Sequence, residues 1–79
     1  MRCGRYLEDG GLTLVEILSD NRDADGLGSV QLRAIRTLQH SPFVKDIPNG
    51  KVFTVTKDAP GWYPGMWDLE ELDAPPGID

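Results

Sequence analysis

Ile47-Pro48-Asn49-Gly50-Lys51-Val52-Phe53-Thr54-Val55-Thr56 decides the class of fold. Proline presets φ for one corner of a turn, and Asn-Gly tolerates the positive φ that the next corner needs. The residues behind it are β-branched or aromatic from Val52 to Thr56, which suits a pleated, half-buried strand. A turn feeding such a run marks a strand entered from a hairpin.

Upstream, Ser29-Val30-Gln31-Leu32-Arg33-Ala34-Ile35-Arg36-Thr37-Leu38 repeats the signal. Val30, Leu32, Ala34 and Leu38 fall on one face and Gln31, Arg33 and Thr37 on the other, the period of a half-buried strand. Ile35 and Arg36 break the alternation, and a bulge or bend near Ala34 would restore it. The segment also reads as a helix with Ser29 as its N-cap. Further back, Asp9-Gly10-Gly11 separates Arg5–Glu8 from Leu12–Leu18, a hairpin signature because glycine supplies positive φ. Leu14, Ile17 and Leu18 have helical spacing too, and strand is the preferred reading. Ser19–Gly28 reads as a polar loop. Downstream, Asp58-Ala59-Pro60-Gly61 is a turn, and Trp62-Tyr63 with Met66-Trp67-Asp68-Leu69 form a last hairpin, or a strand with a 3₁₀ turn.

The sum is a mainly β protein, a small barrel of four to five short antiparallel strands, since closure removes sheet edges. One short helix, or an α+β arrangement, is the fallback. Phe53 and Val55, then Trp62-Tyr63, then Trp67 and Leu69 ahead of an acidic end, together resemble the last strands of SH3-like barrels. The resemblance implies a fold and carries no function. Residues 1–72 are expected to form one domain and residues 73–79 an extended tail.

The chain has 79 residues and a net charge of −5. A domain this short buries only about 60% of its unfolded surface, so a closed catalytic cavity has little room. No apolar run approaches the roughly 18 residues of a membrane span, and no apolar stretch follows the first charges as in a signal peptide. A cytoplasmic, acidic protein is expected. The lone Cys3 forms no internal disulfide and reads as a small apolar side chain. The charge is segregated. Residues 29–57 carry Arg33, Arg36, Lys45, Lys51 and Lys57 against Asp46 alone, and residues 58–79 are acidic throughout, including Asp68, Glu70, Glu71 and Asp73.

Among motifs, Asn21-Arg22-Asp23-Ala24-Asp25-Gly26 has the oxygen alternation of a calcium loop. Leu32 stands where the bidentate glutamate should be, so Asn21, Asp23 and Asp25 read better as a plain turn, and no metal or other cofactor is expected. His40, the sole histidine, sits beside Ser41 in sequence without a triad arrangement. Gly26-Leu27-Gly28 is too short for a phosphate loop. No enzyme is expected.

Trp62, Tyr63 and Trp67 lie among Pro60, Gly61, Pro64 and Gly65. Aromatics held on Gly/Pro turns offer large contact area at low entropic cost. In so small a domain tryptophan is also core material; Trp67 is assigned to the core, while Trp62 and Tyr63 fit either the core or a surface site. The expected function is therefore non-catalytic: a small binding protein or inhibitor that contacts another protein through Trp62 and Tyr63, with Arg33, Arg36, Lys51 and Lys57 as neighbouring charges. A nucleic-acid-binding barrel using the same basic residues, and a structural subunit of a larger assembly, are the alternatives.

Overall fold

The computed structural model describes residues 1–63 and 65–73. Five strands follow in order: β1 (Cys3–Glu8), β2 (Gly11–Arg22), β3 (Gly28–Gln39), β4 (Val52–Lys57) and β5 (Trp67–Glu71). They form one antiparallel sheet in the order β4-β3-β2-β1-β5. Among the described residues there is no helix, so both ambiguous segments, 12–18 and 29–38, are strands. Their apolar side chains are used with a period of two, and the helical spacing of Leu14, Ile17 and Leu18 is coincidental. Of the tail expected over residues 73–79, residues 74–79 lie outside the described residues.

The turns are where glycine demanded them. Asp9 and Gly10 have φ of 48° and 85°, the pair of positive angles of a type I′ hairpin, whose twist matches the strands it joins. At Pro48–Lys51, Lys51 N donates to the Pro48 carbonyl, Gly50 N donates to the Ala34 carbonyl, and Ala34 N donates to the Lys51 carbonyl. With Gly50 at φ 85°, this is a turn closed by a glycine bulge opposite Ala34. Gly50 serves one corner and the first pair of the β3–β4 ladder together.

Two expectations about length and regularity are corrected. β2 and β3 are 12 residues each, not short. Ser19–Arg22 and Gly28 belong to them, so the expected polar loop shrinks to residues 23–27. The irregularity placed near Ala34 is present: the β2–β3 register slips between Leu14/Arg36 and Val15/Ala34, leaving Ile35 unpaired. A further slip leaves Leu38 unpaired beside Thr37/Thr13. The core face of β3 is therefore Val30, Leu32 and Ala34, and Leu38, expected on the same face, ends up exposed.

The core gathers Tyr6, Val15, Ile17, Val30, Leu32, Trp67 and Leu69, with Ile47, Phe53 and Val55 packed on it. Every strand contributes, all from one face. A single sheet with one apolar face must curl to cover it, and this one does. Tyr6 on β1 meets Phe53 on β4 edge-to-face, 5.4 Å between centroids, across two intervening strands, and lies 6.1 Å from Trp67. The expected barrel, however, is not closed by a ladder. β4 and β5 are the two edges. They meet through side chains instead: the Trp67 indole donates to the Thr56 carbonyl at 3.0 Å, and Lys57 reaches Asp68 at 3.5 Å.

Candidate functional site

One end of the sheet is organised by Asp9. Its carbonyl accepts a hydrogen bond from the Ser41 hydroxyl at 2.8 Å, and that same oxygen atom of Ser41 accepts from the amides of Phe43 and Val44 at 3.0 and 3.2 Å. The Asp9 carboxylate accepts from the Gly65 amide, and the Tyr63 carbonyl accepts from Met66 N at 2.9 Å. Two loops, the β3–β4 connection and the β4–β5 connection, are thus fastened to one two-residue turn. They hold Phe43 at 80% exposure, Trp62 at 41% and Tyr63 at 53%, with Val44 at 40%. These are four large apolar side chains left exposed on two loops that Asp9 anchors.

Trp67 has the opposite fate. It is 7% exposed, its indole N–H is satisfied by Thr56, and Lys57 Nζ sits 5.9 Å from its ring. The three aromatics of the Gly/Pro-rich segment divide into one that holds the fold together and two that face out.

The basic residues do not assemble around that surface. Arg33 and Arg36 lie on the outer face of β3, where Arg33 pairs with Glu16 at 3.0 Å and Arg36 stands opposite Leu14. Lys51 is exposed at the start of β4. Lys57 is drawn inward, its side chain only 11% exposed and paired with Asp68, because an alternate position on β4 faces the core and the indole accepts its charge. Of the six residues singled out from sequence, Trp62 and Tyr63 come together, Arg33, Arg36 and Lys51 share the β3–β4 side, and Lys57 is spent on packing.

The calcium-like loop is a hairpin end. Asp23 Oδ1 accepts from the amides of Asp25 and Leu27 at 2.9 and 3.0 Å, the local bonding that makes aspartate a turn residue. Asn21 is a strand residue and Asp25 is exposed. Among the described residues no three His, Cys, Asp or Glu side chains converge as metal ligands. His40 pairs with Asp46 at 2.6 Å, while the Ser41 hydroxyl is engaged by Asp9.

The end away from Asp9 carries an ionic knot. Arg22 binds Asp20 through Nε and Nη2 at 2.9 and 2.8 Å, and Arg2 binds Glu71 at 3.0 and 2.7 Å while approaching Asp20 at 3.5 Å. The Arg22 hydrogen bonds hold the Asp20 carboxyl well below its ordinary range, and the hydrogen bond from Arg2 lowers the Glu71 carboxyl. At the Asp9 end, burial, with help from the Glu8 carboxylate that accepts its O–H at 2.8 Å, pushes the Tyr6 phenol up.

Sequence reasoning missed Phe43 and Val44. The signal was there: two apolar residues after Ser41-Pro42, outside any strand period. No family model, curated protein or solved structure matches this chain.

Proposed function

We propose that the protein is a non-catalytic binding module that grips another protein with the aromatic loops around Asp9. The observation that carries this reading is the division of labour between tryptophans: Trp67 is buried at the seam, while Trp62 and Tyr63 stay exposed on a loop that hydrogen bonds hold in place. Anchored aromatics lose little entropy on binding and dominate interface energetics when a partner buries them. Phe43 and Val44 widen the surface. We read the fold as an SH3-like small barrel left open between β4 and β5, a reading supported by the curled meander and the Trp67–Thr56 bridge. The alternative, nucleic acid, is less favoured because the basic residues are scattered and Lys57 is engaged.

The test compares the tagged full chain with its Trp62→Ala/Tyr63→Ala double variant. Both residues are exposed, so stability should change by less than about 0.5 kcal/mol apiece, while recovery of specifically captured protein should drop about tenfold or more. Identical recovery by both chains, or retention on nucleic acid that falls steeply with salt, would contradict the reading.

A further inference from the structure

We infer that the protein holds a single internal water molecule beneath the loop of residues 41–47, hydrogen-bonded to Thr13 and Glu8, as a fixed part of its fold. The site lies on the inner side of the loop that carries Phe43 and Val44, and it does not depend on the protein-binding reading.

At the Asp9 end the concave face of the sheet changes character. Further along β2, that face gives Val15 and Ile17 to the core. Here Tyr6, Thr13 and Thr37 stand side by side across β1, β2 and β3, and Glu8 follows Tyr6 on the same face by strand alternation. The loop passes over this polar floor and presents Val44 and Ile47 to it. Between floor and loop lies a cavity of about 20 Å³. A water molecule needs about 10–15 Å³ and two to four polar partners. The cavity therefore has room for one water and for no organic ligand.

The polar groups of the floor are short of partners. Thr13 is 6% exposed, and its hydroxyl is hydrogen-bonded to no other described residue. A hydroxyl taken from bulk water costs stability unless something bonds it. No buried side-chain oxygen among the described residues is both unbonded and sealed from water. The unbonded Thr13 hydroxyl therefore opens onto the cavity it lines. Glu8 accepts the Tyr6 O–H on Oε2, which leaves Oε1 as an open acceptor. Gln39, on the same cavity, donates Nε2 to the Gly10 carbonyl and keeps its own carbonyl oxygen.

This lining selects a molecule that both donates and accepts. Glu8 and Gln39 offer lone pairs alone, while the hydroxyls of Thr13 and Thr37 offer protons as well. A monatomic cation would engage only lone pairs. Charge also disfavours it: the Glu8 carboxylate is already hydrogen-bonded by Tyr6, Lys45 lines the same cavity, and Asp46 is paired with His40. Water accepts from Thr13 and donates to Glu8, bridging β2 to β1 under the loop.

The water is counted by ¹⁷O magnetic relaxation dispersion on the full chain and located by water cross-relaxation in the ¹⁵N-labelled protein. The wild type should show long-lived cross-relaxation at Thr13. Thr13→Val/Thr37→Val, which keeps both branched shapes and removes both hydroxyls, should lose one long-lived water, and the Phe43 and Val44 amides should exchange several-fold faster. Thr54→Val, at an exposed threonine, should keep the count. If the double variant loses its native spectrum, Thr13→Val alone replaces it, with the residence time of the water expected to shorten about tenfold. The inference is overturned if the variant at the cavity keeps the wild-type dispersion, if Thr54→Val loses as much, or if Thr13 shows no cross-relaxation with water. It is equally overturned if sodium chloride shifts the Thr13 and Glu8 signals where choline chloride of the same ionic strength does not, which would assign the cavity to a cation.

Discussion

Gly28 shows how one residue governs the long hairpin. Its φ is 131°, and a Cβ there would stand 2.5 Å from the Asn21 carbonyl oxygen and 3.1 Å from Arg22 Cα. Both obstacles are backbone, which has nowhere to go at the closing pair of β2 and β3. Gly28→Ala is expected to cost about 2–4 kcal/mol, through strain at a glycine-only geometry and displacement of the ladder. Urea unfolding checks it, and a loss below about 0.5 kcal/mol would show that the hairpin end relaxes freely. Tyr6 is a second such residue. It is buried, and its O–H is given to Glu8. A phenol whose pKa is raised on folding stabilises the fold fully below its unfolded pKa near 10 and progressively less above it. Stability should therefore fall as pH rises past about 10, and Tyr6→Phe should flatten that limb while costing about 1 kcal/mol at neutral pH.

At the scale of elements, the ionic knot ties the start of β1 and the ends of β2 and β5 together. Asp20 and Glu71 have depressed pKa values in the folded protein, so their contribution is present above their unfolded values, 3.8 and 4.5, and is lost as pH falls below them. Thermal unfolding followed from pH 6 to pH 2.5 should show Tm dropping below about pH 4, with a smaller drop for Asp20→Asn. An equal drop in both would place the acid-sensitive groups elsewhere. The elements themselves were largely legible. Pro48-Asn49-Gly50 and Asp9-Gly10 declared their turns because their geometry needs the positive φ that few residues tolerate. The strand at 52–57 declared itself by composition. The lengths of β2 and β3 were not legible, because Ser19–Arg22 are polar and gain their place from Asp20–Arg22 pairing and from the ladder to β3, neither of which leaves a hydrophobic period. Leu38 misled for a related reason: a bulge resets the face of every residue after it, and the sequence locates the slip near Ala34 without revealing the one at Leu38.

For the whole molecule, the decisive fact is that one sheet makes its own core. Curling brings β1 against β4 through Tyr6 and Phe53, leaves β4 and β5 as edges, and bridges them through the Trp67 indole and the Lys57–Asp68 pair. The site was half legible for the same reason. Trp62, Tyr63 and Trp67 could be sorted in principle by their neighbours, since Trp67 opens an alternating strand and the other two sit between glycine and proline. The fastening of Phe43 to the same end depends on Asp9 and Ser41, 32 residues apart, and no local pattern carries that. Lys57, charged and flanking a strand, has the sequence of a contact residue, and no local pattern carries its placement over Trp67 and against Asp68.

The central claim is that one tryptophan is buried at the seam and the other stands exposed on an anchored loop, the division from which the proposed contact surface is argued. Acrylamide quenching of intrinsic fluorescence in Trp62→Phe, which leaves Trp67 as the sole indole, measures it directly. The expected result is a folded protein with blue-shifted emission, quenched several-fold less efficiently than the wild type. Red-shifted, readily quenched emission from that folded variant would mean that Trp67 lies in solvent, and the division of roles on which the contact surface rests would be wrong.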